Sequence, residues 1–245
     1  MYFTLFPFPL ILMIMGFFGI DIYYLILVVP TIILSLWAQF KVKSTFAKYS
    51  NIMCRKGITG AQAAQVLLNA NSISNVSIEN VAGSLTDHYD PRSHVLRLSQ
   101  PVYGQSSISA VGVAAHETGH AIQHARGYAP LGLRSTLVPV ANIGSTIGPW
   151  LAIAGLAFPQ LNFLFNIGII LFSGAVAFYL ITLPVEFNAS SRALAILAEN
   201  NVLDKEELRG VKKVLSAAAL TYVASALTAL MSLVRLILIS QRRRR

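Results

Sequence analysis

Apolar runs long enough to cross a membrane limit the fold of this chain more than any other feature of its sequence. They cover residues 22–40, 138–158, 163–185 and 214–239. Because a transmembrane helix needs about 20 mainly apolar residues, each run predicts a membrane-spanning helix. Charged residues make up only 12% of the chain, which is about half the share in an ordinary soluble domain. The sequence therefore predicts a mainly α-helical, multi-pass membrane protein.

The apolar runs divide the chain into five predicted parts. Residues 1–20 are apolar but interrupted by proline and glycine, which favours an interfacial segment over a re-entrant segment or a short extra span. The short, uncharged link "PQLN" at 159–162 favours a tight hairpin between two spans. The five parts are an apolar lead with the first membrane helix at 1–40, a polar domain at 41–137, a membrane hairpin at 138–185, a helical segment at 186–213, and a last membrane helix with a basic tail at 214–245.

The polar domain is predicted to be a small α+β unit. A short helix over 59–70 begins after Thr59, a favourable N-cap residue. Two segments, 76–82 and 94–99, alternate like strands, and the turn "TDHYDPRS" separates them. The second strand could offer an edge to which an extended peptide adds, and ordinary edge packing is an equally good interpretation. Residues 105–126 are predicted to form the next helix.

That helix carries the most informative motif of the chain, "HETGH" at 116–120. Residues four apart lie on one face of a helix, about 5–6 Å between Cβ atoms, so His116 and His120 could bind one metal ion. Glu117 falls at the flank of this face, where it could act as a general base on a metal-bound water. The alternative is a polar helix face with unrelated histidines. We favour a zincin-like domain with an HExxH helix.

A catalytic zinc site needs a third protein ligand. After Glu117 there is no Asp or Glu before Glu186, which directly follows an apolar run. If the hairpin returns the chain to the side that it left, Glu186 comes back beside the two histidines. A carboxylate at the edge of a span often marks a functional site, although it could also simply be in contact with water. His124, one helical turn beyond His120, lies too far to join easily and is predicted to support the site or to lie at the surface.

Three motifs together carry a family resemblance: "LTDHYDPRSHVLRLS", "AAHETGHAIQH" and "TLPVEFNASSRA", in this order. They resemble the YugP-type neutral zinc metallopeptidases, a family of bacterial membrane proteins. The resemblance runs from "WAQFKVKSTFAKYS" to "LVRLILIS". It implies that His116, His120 and Glu186 hold zinc and that Glu117 is the catalytic base. We expect one Zn²⁺ per chain, following the three-ligand catalytic pattern.

A looser similarity connects the chain to the HtpX-type and CAAX prenyl proteases. In those families the ligand Glu begins an E-x-x-A-D pattern, whereas Glu186 begins "EFNAS". Ser190 stands at the position of the Asp, so a carboxylate that supports the site in those families is missing or replaced here.

The motif "DHYDP" contains two secondary candidates. His88 or Tyr89 could donate a hydrogen bond to a tetrahedral oxyanion. The alternative, which we favour, is an Asp-Pro turn between two strands.

The basic residues predict the orientation of the chain in the cell membrane. Residues 41–137 hold nine Lys and Arg and residues 186–213 hold five, so these two parts have fourteen of the nineteen. By the positive-inside rule, both parts and the active site are predicted to face the cytoplasm. We attribute the net charge of +9 to this topology and expect no nucleic-acid partner.

These observations predict a zinc metalloendopeptidase that acts on protein or peptide substrates, including membrane proteins, close to the lipid bilayer. The main alternative is a non-catalytic zinc-binding adaptor or sensor, whose zinc would usually have four protein ligands. A small transporter is a weaker alternative, because the spans carry few ionisable residues, of which Asp21 is the main one.

Overall fold

The computed structural model describes residues 21–243, so the predicted apolar lead at 1–20 lies outside the described residues. The first long helix begins with a π-helical turn, Tyr24–Val28. A 3₁₀ turn, Pro159–Leu161, separates the second long helix from the third. The elements are α1 (Tyr24–Ser50), α2 (Gly60–Ala70), β1 (Ser77–Val81), β2 (His88–Asp90), β3 (Val95–Ser99), α3 (Gln100–Tyr103), α4 (Ile108–Ala125), α5 (Ala129–Ala157), α6 (Asn162–Glu199) and α7 (Lys205–Arg243).

Four helices, α1, α5, α6 and α7, are long and apolar enough to cross a membrane. The prediction of a mainly helical chain with a small sheet is confirmed, and these four helices are candidate membrane spans. The helices extend beyond the apolar runs, because the polar sequence beside each run is also helical. Residues predicted as a separate segment at 186–213 are divided between the end of α6 and the start of α7.

The break between α6 and α7 contains an acidic capping box formed by Asp204 and Glu207. The Glu207 backbone N–H donates to Asp204 Oδ1 at 2.9 Å, and the Asp204 N–H donates to Glu207 Oε2 at 2.8 Å. The two carboxylates therefore satisfy two backbone donors where α7 begins.

The small sheet differs from the predicted strand pair. Its order is β1-β3-β2, with β1 parallel and β2 antiparallel to β3. The segment predicted as a turn contains β2, in which Tyr89 pairs with Leu96. The expectation that strand 94–99 offers a free edge is therefore wrong, because β3 is paired on both sides. The alternating pattern was too short in His88–Asp90 for sequence reasoning to detect a third strand.

By their contacts, the residues form two compact units. The first contains Gln39–Leu131 and Pro184–Leu220, and it includes the sheet, α4 and the end of α6. Its core consists of apolar residues from α2, the sheet, α4 and the ends of α6 and α7. Helix α2 begins with the predicted cap, since the Thr59 hydroxyl accepts from the Gln62 backbone N–H at 3.2 Å.

Among the described residues, the second unit contains 21–38, Gly132–Leu183 and 221–243. Small residues allow α5 and α6 to pack closely here. At Gly148, for example, an added Cβ would lie 3.0 Å from the carbonyl oxygen of Gly168. The Asp21 carboxylate pairs with Arg235, whose Nε donates at 2.9 Å. This charge thus has a structural partner, which weakens the transporter alternative.

Candidate metal centre

Helix α4 positions the three residues of the HExxH motif. It begins at a capped N-terminus, where the Ser107 hydroxyl accepts from the Ala110 backbone N–H at 3.2 Å. Most of its residues are buried, so it forms a rigid element in the core of the first unit. His116 and His120 lie one turn apart, and their rings meet edge to face with centroids 4.8 Å apart. The helix therefore presents both imidazoles toward the same point.

The carboxylate of Glu186 completes this group. His116 Nε2 lies 3.3 Å from one Glu186 oxygen, and His120 Nε2 lies 3.7 Å from the other. One donor atom from each residue lies within 4.8 Å of the other two. Glu186 is only 2% exposed, so it is not a membrane-edge residue in contact with water. The 68 residues before it, 118–185, contain no carboxylate, and the fold brings Glu186 to the histidines.

The donor set fits a zinc ion. Two imidazole nitrogens and one carboxylate oxygen are the protein ligands of a common class of catalytic zinc site. Within residues 21–243, no other His, Cys, Asp or Glu joins this group. A tetrahedral ion would therefore keep one position for water or substrate, whereas a structural zinc site usually has four protein ligands.

Both histidines have a partner on the ring nitrogen that faces away from Glu186. His116 Nδ1 lies 3.1 Å from the Ser190 hydroxyl, and His120 Nδ1 lies 3.0 Å from Gln123 Oε1. Such contacts orient the ring and leave Nε2 available for a metal. Ser190 thus occupies the place that the E-x-x-A-D pattern gives to an Asp, with a neutral hydroxyl as the partner.

Helices α4 and α6 approach closely at Gly119. A Cβ at this position would lie 2.6 Å from the carbonyl oxygen of Ala189, which is closer than real Cβ contacts allow. Gly119 neighbours His120, and Ala189 neighbours Ser190. The glycine in "HETGH" therefore permits the helix contact that brings Glu186 to the histidines.

We expect Gly119→Ala to lower thermal stability and weaken zinc binding together. The clash should cost about 1–3 kcal/mol, which exceeds the gain of up to about 1 kcal/mol from the better helix propensity of Ala. The measurements are the midpoint of thermal unfolding and the zinc dissociation constant. Gly132→Ala is the control, because nothing lies within 4 Å of a Cβ at that helical position. A Gly119→Ala protein as stable and as tightly zinc-bound as the control would contradict this role.

Glu117 lies beside the metal ligands but is not one of the three. One of its oxygens accepts a hydrogen bond from the Tyr89 backbone N–H at 3.1 Å. Burial raises the pKa of Glu117 to about 7, the positive charge of His116 would lower it, and the carboxylates of Glu186 and Asp87 raise it. A bound cation would favour the ionised form. A carboxylate with a pKa near neutrality is suited to accept and return a proton.

The secondary candidates lie near the site in different ways. Tyr89 meets Glu117 only through its backbone, while its hydroxyl lies 2.9 Å from His124 Nδ1. The Nδ1 of His88 lies 2.8 Å from the carbonyl oxygen of Thr86 and must donate to it. Burial is the main cause that lowers the pKa of His88 and raises that of Tyr89 to about 12. No oxyanion role follows from these contacts alone.

Sequence reasoning missed Gln123, which contacts His120, and it named Ser190 only as the residue at the position of an Asp, without its contact to His116. Gln123 is three residues after His120, and Ser190 is four residues after Glu186. Both spacings place a side chain on the same helix face as the ligand. This signal was present in the sequence, but it becomes meaningful only when the partner helix is known.

Comparison with known proteins defines the class to which this fold and site belong. A model of the family with the description "Putative neutral zinc metallopeptidase" matches residues 24–241, and the chain belongs to this family. The chain is 52% identical over 216 residues to the "Putative membrane protease YugP" of Bacillus subtilis (strain 168). The matched region covers 88% of this chain and 96% of that protein. No solved structure matches the chain.

These similarities confirm the resemblance that the three sequence motifs carry. They support a protease function that uses zinc, and with the four apolar helices they indicate a membrane protein.

Proposed function

We propose that this protein is a zinc metalloendopeptidase of the cell membrane, with one Zn²⁺ per chain bound by His116, His120 and Glu186. The convergence of exactly these donor types at one point, with Glu117 beside them, is the observation that carries the proposal. We further propose that the helix α4 and the small sheet form a zincin-like domain, in which β2 lies next to the catalytic base.

A zinc ion held at this site would supply a Lewis acid for the scissile carbonyl and would lower the pKa of the attacking water. The two imidazoles and the Glu186 carboxylate would hold the ion. The contacts of His116 with Ser190 and of His120 with Gln123 fix the orientation of the two rings. Glu117 takes a proton from the attacking water and passes it to the leaving amine. The hydrogen bond from the Tyr89 backbone N–H holds the Glu117 carboxylate in place during this transfer.

His88 and Tyr89 on β2 remain the candidates for stabilising the oxyanion, and each has a condition to meet. His88 has Nδ1 bound to a backbone carbonyl, so its neutral ring exposes Nε2 as an acceptor and must be protonated to donate there. The Tyr89 hydroxyl can donate but is bound to His124. His124 would therefore act by holding Tyr89 in place, as a support and not as a ligand.

Chelation tests the proposed reaction against the alternative of an adaptor or sensor. Purified wild-type protein should cleave a protein or peptide library in detergent. A zinc chelator should stop the cleavage, and added Zn²⁺ should restore it. A zinc-binding adaptor or sensor predicts no cleavage in any of these samples.

The proposed substrate is a protein or peptide chain, and membrane proteins are included for a structural reason. Glu186 directly follows the apolar part of α6, a candidate membrane span, in one continuous helix. A ligand placed there lies close to the membrane surface. We propose no nucleic-acid partner, since the basic residues are accounted for by membrane topology.

We propose a multi-pass topology with the active site in the cytoplasm. The fourteen basic residues of 41–137 and 186–213 share one face if all four apolar helices cross. In a Cys54→Ser background, Ser84→Cys should resist a membrane-impermeant thiol reagent in intact cells. Gln160→Cys, in the link between α5 and α6, should react readily. Both positions are exposed, so the reverse labelling pattern in sealed cells would invert the proposed topology.

A further inference from the structure

We propose that Gln123 is a positioning residue that holds His120 in the tautomer able to bind a metal. The inference rests on the proposed function, because it concerns a ligand of the proposed zinc site. Gln123 is fully buried. Its Oε1 lies 3.0 Å from His120 Nδ1, and its Nε2 donates to the Val185 carbonyl oxygen at 2.8 Å. Nε2 also donates to Asn188 Oδ1 at 3.0 Å.

The contacts fix which end of the Gln123 amide faces His120. A backbone carbonyl can only accept, so the atom beside the Val185 oxygen must be the NH₂ group. The Asn188 oxygen is fixed in the same way, because it accepts from Arg192 Nε at 2.7 Å and an arginine can only donate. A reversed Gln123 amide would place an oxygen against both acceptors. Because Arg192 fixes the Asn188 oxygen as an acceptor, the Gln123 NH₂ group must face Asn188 and Val185. The Gln123 Oε1 therefore faces the His120 imidazole.

This orientation determines the proton position on His120. Since Oε1 can only accept, His120 Nδ1 must carry the hydrogen, and in the neutral imidazole Nε2 then has a lone pair on the side of Glu186. The same amide connects α4 to the residue just before Glu186, because Val185 is its second partner. One buried side chain thus sets the state of one ligand and the place of another.

The tautomer can be measured without metal. The probe is the ¹⁵N chemical shift of His120 in metal-free protein with labelled histidine, well above the ordinary histidine pKa of about 6.5. We expect Nδ1–H in the wild type. Gln123→Met keeps the size of the side chain but removes the acceptor, so the Nε2–H form should appear. Gln123→Glu, protonated at the oxygen beside the Val185 carbonyl so that it still donates there, keeps an acceptor toward Nδ1 and should restore Nδ1–H.

Thr118→Val is the matched control. Thr118 is equally buried on α4, but its hydroxyl donates only to the Ala114 carbonyl of the same helix at 2.8 Å. It should leave the His120 tautomer unchanged. An Nε2–H tautomer in the wild type, which needs no variant to fold, would overturn the proposal. So would an unchanged Nδ1–H in folded Gln123→Met.

Zinc affinity is the second readout. Loss of such an outer contact typically weakens metal binding about 10- to 100-fold, so we expect this loss in Gln123→Met and a smaller loss in Gln123→Glu. Equal affinity in the wild type and in Gln123→Met would overturn the positioning role. If the wild type bound no zinc but the His120 tautomer still differed as expected between the wild type and Gln123→Met, the proposed function would fail while this inference stood.

Discussion

Replacing Glu117 with Gln is expected to leave the fold and the zinc content intact and to reduce peptide-bond cleavage about 10²- to 10⁴-fold, the usual contribution of a general base. The Gln side chain has the same size and can still accept the hydrogen bond from the Tyr89 N–H. It removes a carboxylate that is costly to desolvate, so the variant should be at least as stable as the wild type. Initial rates on a peptide library, with zinc measured in the same samples, test this.

Glu79→Gln is the matched control for this change. Glu79 is an exposed carboxylate on β1 that pairs with Arg97 at 3.4 Å, outside the candidate site. It should cleave at the wild-type rate. If Glu117→Gln lost its zinc, Glu117 would be a structural residue. If it kept both zinc and full activity, the base would be another residue, and the segment His88–Asp90 would be examined first.

Replacing Glu186 with Ala is expected to remove the bound zinc. Glu186 is the only carboxylate among the described residues that joins the two histidines. With two imidazoles left, the site has fewer ligands than any catalytic zinc class requires. We expect the zinc content to fall from about one per chain to near zero after dialysis, and cleavage to fall with it. His116→Ala and His120→Ala should give the same result.

Glu199→Ala controls for the loss of a carboxylate from the same helix. Glu199 is exposed at the end of α6 and lies outside the metal group. It should keep the zinc of the wild type. Full zinc content in a folded Glu186→Ala protein would place the third ligand elsewhere, and His124 and His88 would be tested next.

Much of the site could be predicted because its signals were local or depended on a simple topology. The spacing of His116 and His120 needs only the period of one helix. Glu186 could be predicted because the intervening sequence has no other carboxylate and a membrane hairpin would return the chain to its starting side. The structure brings these residues together, although their catalytic roles remain proposals.

The parts that could not be predicted depend on contacts between distant segments. The strand β2 has only three residues, so its pairing with β3 left no periodic signal. The contact between Gly119 and Ala189 arises because two helices, far apart in sequence, meet without an intervening side chain. Gln123 appears as an ordinary polar residue in the sequence, and its role becomes visible only when Val185 and Asn188 lie beside it.

The coordination shell of the bound metal tests the assignment of the site most directly. X-ray absorption at the zinc edge of purified protein should show nitrogen and oxygen ligands only, at about 2.0–2.2 Å, with scattering from two imidazoles. The spectrum should be absent from Glu186→Ala for lack of metal. A sulfur shell at about 2.3 Å, which would require Cys54, or a single imidazole in the shell would contradict a zinc site built from His116, His120 and Glu186.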